Sequence, residues 1–592
     1  MKSKILTTFC IIILLLSFSS CGKSVSPVGN LSEIIPYAES LKLPPAKDGE
    51  ITIYSGGTIY TKLGAEPVES VAILNGKFYY AGPLEAAYPD GGNNYRHIDL
   101  EGRMLAPSFI EAHAHPDLAS LLDLRSFEYE KDMASPEEYV EQIRNYLKEH
   151  PKTEVLRGTG WDKAAFGDEM PTKELLDDIS KDIPIFIRSS DQHLVWVNSK
   201  ALEVAGIDSN TPDPEGGSII RDKNGNPSGT FVDMATNTIE SALPPISVDE
   251  CKELILRFQE NEVSMGITGT MNAMVLPKSN TYTAYRELLR DGELKVRTQL
   301  SFLITPETYT ETLDWLEKEN ADYQAEGVSH LLYMNLVKVF IDGTIIAQTA
   351  FMLDDYATTP GFRGEPIWPQ DMKAIKEAFK LCSEKGFRIQ MHAVGDAAVR
   401  YGLDALEAAA KPNRHGITHL ELVAPEDIPR FKELDVVAIV NPYWICKPIT
   451  WETTEPVILG KERSETMFPV KSLYEAGAVV GAASDYPVTE IPNPLIGMDM
   501  AVNRTLIEAW RPGKTAEETQ LNISEAISVE QAFDAFTNAC AYAYEWDKFT
   551  GTIEAGKSAD YIILDKSFLD FTPSDVKVIE TRLAGIQLFQ AE

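Results

Sequence analysis

Cysteine is scarce and poorly spaced for metal-ribbon chemistry. Of six in 592 residues, Cys10 and Cys21 lie at the extreme N-terminus, and Cys251, Cys382, Cys446 and Cys540 are scattered with no Cys-x-x-Cys pair. That argues against a zinc ribbon and leaves disulfides open only if the compartment is oxidising. Basic charge is short too: 54 Lys and Arg face 89 Asp and Glu, for a net charge of -35. Nucleic acid and anionic membrane surfaces are poor partners for such a field. The apolar run Ile11–Leu16 is too short for a bilayer-spanning helix. Histidine is rare, with nine in the chain. What the chain does have is 44% hydrophobic residues. That is enough to bury a large core, as one big domain with accessory parts or as two to three domains, and it excludes a disordered or fibrous protein.

The N-terminus reads as a leader: Lys2 and Lys4, the short apolar run, then Ser19-Ser20 before Cys21. A cysteine directly after a small pair resembles a bacterial lipoprotein cleavage site. Residues 1–20 are then a signal peptide, Cys21 is the acylated lipid anchor, and the chain is exported to the periplasm or cell envelope. Ordinary secretory cleavage nearby is the alternative. Residues 21–48 carry Ser, Pro and Gly with little periodicity, as a tether does.

From Ile51 the pattern turns to short strands. Ser70–Leu74 and Phe78–Ala81 flank Asn75-Gly76, a favoured two-residue hairpin turn. The C-terminus is strand-like again at Asp560–Asp565 and Val576–Phe589. Residues 49–107 and 547–592 are therefore expected to build one small β-sandwich from both ends. Between them, Leu336–Ile341, Arg388–Met391, Gly416–Leu420, Val436–Val440 and Val479–Ala483 read as strands. They alternate with helices such as Asp371–Lys385, closed by Gly386, and Val470–Ala476, closed by Gly477. Repeated βα units imply parallel strands, and a (β/α)8 barrel over residues 108–546 is the expected α/β architecture, with a doubly wound sheet as the alternative. An insertion over about 135–235 breaks the rhythm and is expected near the barrel mouth. It starts with a helix after Ser135-Pro136-Glu137-Glu138, a capping-box spacing.

The most informative stretch is Phe109-Ile110-Glu111-Ala112-His113-Ala114-His115-Pro116. Side chains alternate along a strand, so His113 and His115 share a face and can hold one metal ion. His392, His419 and Asp485 fall at the ends of later strands, at the mouth where barrel sites assemble. Taken singly, the two histidines also read as satisfied interior residues and Asp485 as a helix cap. Lys338 lies inside an apolar strand, where its ammonium must lose its proton, pair with an acid, reach solvent at the strand end or be carboxylated. A carbamate would be an oxygen donor able to bridge two metals.

Together these residues resemble the amidohydrolase superfamily, in particular the branch of N-substituted formamide deformylase. The motifs run in order: Ala106–Pro116, Gly160-Trp161-Asp162, Asp191-Gln192-His193, Trp196–Ser199, Lys338–Gly343, Met391–Asp396, Arg414-His415 with His419, Ser484–Pro487, and Gly551–Asp560. Ser108, Gln192 and Thr418 depart from the usual glycine, glycine and glutamate, the latter two near the expected pocket.

The resemblance implies His113, His115, His392 and His419 as metal ligands, Lys338 as a carboxylated bridging ligand formed with carbon dioxide, and Asp485 as ligand and proton shuttle. One or two zinc ions are the implied cofactor. The implied reaction is hydrolysis of a non-peptide, formamide-like C–N bond in a small-molecule amide, by metal-bound hydroxide. His193 is a candidate for holding the carbonyl or oxyanion, with a structural role away from the substrate as the alternative. Trp161, Asp162, Trp196 and Asn198 are candidates for lining the pocket, with packing in the core the safer reading for both tryptophans. Two other readings stay open: a hydrolase of cyclic amides, lactones or esters, and a lipid-anchored binding protein without turnover. Contact with a membrane is expected only through the lipid, and a homodimer is compatible with the chain.

Overall fold

The computed structural model describes residues 50–591 apart from 89–94, 117–134, 152, 162, 168, 190–193, 215–216, 241, 328, 410–413, 449 and 490. The leader, the tether, Cys21, Asp162 and His193 lie outside the described residues. Those residues form two compact units, residues 116–257 and, separately, residues 50–115 with 258–591.

The larger unit contains eight parallel strands in sequence order: β1 (Phe109–Ala114), β2 (Ile267–Val275), β3 (Arg297–Leu303), β4 (Leu332–Phe340), β5 (Arg388–Ala393), β6 (His415–His419), β7 (Val436–Val440) and β8 (Val480–Ala482). β7 reads Val-Val-Ala-Ile-Val and is buried throughout, as a parallel strand covered on both faces should be. The chain just beyond β8 returns to β1: Asp485 N–H donates to His113 O and His115 N–H to Tyr486 O, each at 2.8 Å. Those bonds bring the two ends of the sheet together as a barrel and exclude an open doubly wound sheet.

The helices between strands end where the sequence says they should. Lys373–Glu384 is followed by Gly386 at φ 77°, and Val470–Glu475 by Gly477 at φ 79°, both in the left-handed region that costs glycine little. In-register pairing carries the strand ends to one level: Phe340 lies beside His392, Ala393 beside His419 and His419 beside Val440.

Both ends of the chain share a second, eight-stranded sheet. Met104–Pro107 lies between Ile51–Ile59 and Tyr561–Leu564, with Val578–Leu583 and Ile586–Gln590 beyond. Asn75 and Gly76 take positive φ in the expected hairpin, which joins Val68–Leu74 to Lys77–Gly82. The sheet curls on itself, because Phe78 at one end packs against Tyr561, and Phe78 N–H donates to Lys557 O at 2.9 Å. A buried ion pair fastens it to the barrel. Arg297, at the start of β3, places Nη2 2.8 Å from Asp560 Oδ2, and Ser558, Thr550 and the Ala584 N–H complete the shell of Asp560.

Burial alone would raise the Asp560 carboxyl, but Arg297 and the hydroxyls outweigh it and hold it below its usual 3.8. Its stabilisation is therefore present above about pH 4 and is lost as pH falls through the lowered value. Asp560→Ala strands a buried guanidinium and should cost about 3–5 kcal/mol in denaturant unfolding. A loss under 1 kcal/mol would show that the pair does not anchor the sheet.

The inserted unit has its own five-stranded sheet, in the order Gly217–Arg221, Pro227–Asp233, Leu194–Val197, Ile185–Ser189, Leu156–Trp161. Helix Pro136–Glu149 begins as expected after Ser135, but the Ser135 side chain makes no cap bond. Pro136 in the first turn presets the helical φ instead. Among the described residues all four cysteines are buried and none is in a disulfide, and no helix is long and apolar enough to cross a membrane.

Candidate metal centre

Strand alternation puts His113 and His115 on one face, with ring centroids 5.4 Å apart. The return of the chain after β8 brings Asp485 Oδ1 to 3.3 Å from His113 Nε2 and 3.1 Å from His115 Nε2. The three ligand atoms lie within 4.8 Å of one another. Lys338 comes from β4, only 1% exposed, with Nζ 3.1 Å from His113 Nε2 and 4.8 Å from the centre of the Phe340 ring. The His419 ring lies 5.2 Å from His113 and 4.4 Å from His392. All six residues thus meet at the carboxyl ends of the barrel strands, with His113, His115 and Asp485 the tightest group.

Two of the imidazoles are oriented by their second nitrogen. His392 Nε2–H donates to Gly343 O at 3.1 Å, leaving the Nδ1 lone pair, and His419 Nδ1–H donates to Asn441 Oδ1 at 3.1 Å, leaving Nε2. Burial, then the Lys338 charge, holds His113 well below the usual imidazole range. Burial, then the nearby His419 and Lys338, does the same to His392. Burial, partly offset by Asp485, pushes His419 down to about 4. These rings are neutral at pH 7, the form that binds cations.

The arrangement fits a divalent cation. Donors about 2.0–2.1 Å from one tetrahedral zinc lie roughly 3.3 Å apart, which matches the spacing around Asp485. Asp485 Oδ1 faces the Nε2 atoms of His113 and His115 with no donor in hydrogen-bonding geometry, and a cation between them satisfies all three.

Several residues that shape the site carry no role in the sequence reading. Glu111 accepts His113 N–H at 2.8 Å and Ser484 N–H at 3.1 Å, tying β1 to the Asp485 segment, and burial pushes its carboxyl up to about 7. Asp342 accepts the N–H groups of Phe351, Val394 and Gly395 at 2.9–3.0 Å, which holds the loop after His392. Its only signal was its position in the Lys338–Gly343 motif. Asn441 and Trp444 follow β7, a strand without any candidate ligand.

Three of the candidate pocket residues have internal roles in the inserted unit. Trp161 and Trp196 are fully buried in the core of the inserted unit, their indole N–H groups donating to Ile187 O and Thr172 O. Asn198 caps helix Ser199–Ala205 and bonds Ile185 N–H, Ser180 O and Ile183 O, which uses its whole amide internally. Thr418, expected near the pocket, is fully buried and accepts from Gln390 Nε2.

Comparison with known proteins agrees with this architecture. Protein LONG AFTER FAR-RED 3 of Arabidopsis thaliana is 29% identical over 92% of this chain and 93% of its own length. N-substituted formamide deformylase of Arthrobacter pascens is 26% identical over 83% of this chain and 90% of its own. The crystal structure of an uncharacterised metal-dependent hydrolase from Pyrococcus furiosus superimposes with a TM-score of 0.70 at 27% identity, covering 87% of this chain and 99% of that one. The family model described as the amidohydrolase family matches residues 96–588. A chain matched over that span, folded as a parallel barrel with histidine, lysine and aspartate gathered at its strand ends, belongs to the amidohydrolase family.

Proposed function

We propose that the protein is a metal-dependent hydrolase of small non-peptide amides, with an N-substituted formamide as the model substrate. The observation that carries this reading is the contact of the His113 and His115 imidazoles with Asp485 at 3.1–3.3 Å, with Lys338 Nζ 3.1 Å from the first. A divalent cation bound there supplies a polarised carbonyl and a water acidic enough to attack near pH 7.

The chain's own residues supply the rest. His113, His115, His392 and His419 present lone pairs, and Lys338, lowered to about 7 by burial partly offset by Asp485, has a free amine fraction at neutral pH. That amine adds to carbon dioxide, forming an N–C bond and releasing one proton, and the resulting carbamate provides oxygen donors. The Asp485 carboxylate accepts the proton of the attacking water and returns it to the leaving nitrogen, because an amine leaves poorly as an anion. Similarity to N-substituted formamide deformylase supports the choice of bond.

The test is turnover of an N-formyl amine and of its formate-ester analogue, before and after chelation and with zinc restored. Amide cleavage that chelator removes and zinc returns is the expected result. Rapid ester cleavage with no amide turnover would replace the amide reading, and inertness of the zinc-loaded protein toward both would favour a binding protein.

A further inference from the structure

β7 contributes no candidate ligand, yet the segment that follows it touches both sides of the metal centre. Asn441, fully buried, accepts the Nδ1–H of His419 at 3.1 Å and donates from Nδ2 to Ala483 O at 3.3 Å. Three residues on, the Trp444 indole lies parallel to the His419 ring, with centroids 5.5 Å apart and planes 4° from parallel. Its N–H donates to Thr489 Oγ1 at 3.0 Å, and the Thr489 hydroxyl donates to Ser484 O at 2.5 Å. Two bridges therefore leave one short segment, both begin on His419, and both end on the carbonyls just before Asp485.

The residues they join need support. His419 sits at φ 83° and Asp485 at φ 56°, left-handed conformations that side-chain-bearing residues adopt only where their surroundings hold them. Asn441 also fixes the His419 tautomer. Its amide is oriented by Ala483 O, so its oxygen faces Nδ1–H and the lone pair is left on Nε2.

We propose that Asn441 and Trp444 are positioning residues: a brace from β7 that sets the His419 Nε2 lone pair and the Asp485 carboxylate in register for one metal centre. The proposal rests on the reading of this site as a metal site. Neither residue touches substrate or reacting atoms in this role. They act through His419 and through the peptide preceding Asp485.

The experiment is cobalt(II) titration of the chelator-stripped full chain, read by visible absorption bands and by competition for affinity, with thermal midpoints recorded in parallel. Trp444→Leu and Asn441→Leu should weaken cobalt binding about 10–100-fold and alter the bands while the thermal midpoint stays within a few degrees. Thr489→Val should follow Trp444→Leu, and Thr489→Ser, which keeps the hydroxyl, should restore the wild-type spectrum. If Asn441→Leu does not fold, the Trp444 and Thr489 variants decide the matter. Wild-type bands and affinity in Trp444→Leu, or equal behaviour of Thr489→Val and Thr489→Ser, would overturn the brace alone. A wild-type chain that takes up no cobalt would overturn the metal reading and the brace with it.

Discussion

Asp485→Asn should retain most of its bound metal and lose turnover by about 10²–10⁴-fold, the range that positioned acid–base groups contribute. The residue is 7% exposed and its backbone is held at φ 56° by the N–H bond to His113 O, so an isosteric amide fits without rearrangement. The amide keeps an oxygen toward His113 and His115 but cannot accept and return a proton at neutral pH. If the lost step exists only in the transition state, kcat and kcat/KM should fall together with KM little changed. Steady-state kinetics beside metal content by mass spectrometry separates the outcomes. A near-normal rate removes Asp485 from proton transfer, whereas loss of metal in proportion to activity leaves it a ligand only.

Lys338→Ala should lower metal occupancy and reduce kcat/KM by more than about 100-fold, beyond what loss of a supporting hydrogen-bond partner usually does. The side chain is 1% exposed, against His113 and the Phe340 ring, and the Asp485 carboxylate only partly offsets the effect of its burial. With its pKa lowered to about 7 by burial, the amine has a free fraction at neutral pH that is open to carbon dioxide. A carbamate there is a buried anion and is stable only beside a cation. Removing the side chain leaves a gap that a short carboxylate such as propionate can fill, so partial recovery of both metal and rate is expected. Full occupancy without added carboxylate, or absence of a carbamate carbon signal from protein equilibrated with labelled bicarbonate, would exclude the bridging role.

The parts legible in the sequence were those governed by local periodicity. Strand alternation placed His113 and His115 on one face, apolar β-branched runs located β4 to β8, and glycine after the helical runs located Gly386 and Gly477. β2 and β3 lack such an apolar run: they carry Thr268, Thr270 and Asn272, and Arg297, Gln299 and Ser301, inside a buried wall. Such polar residues read as surface until their partners are known. Arg297 finds Asp560, 263 positions away, and Gln299 finds carbonyls of β3 and of β4.

The two tryptophans of the inserted unit take the packing role that is the safer reading of such residues. An indole beside a motif reads as core before pocket wall, and the carbonyls of Ile187 and Thr172 are the internal partners that hold these two. By itself the sequence determined the family, the strand-end placement of the candidate ligands and the lysine in an apolar strand, because spacing and hydrophobic period are properties of neighbours in the chain. Only the tertiary structure decided that β8 closes on β1 to bring Asp485 to the two histidines, that Glu111 ties those strands, and that a strand without ligands braces His419. Each of those contacts joins residues whose sequence separation carries no signal of their meeting.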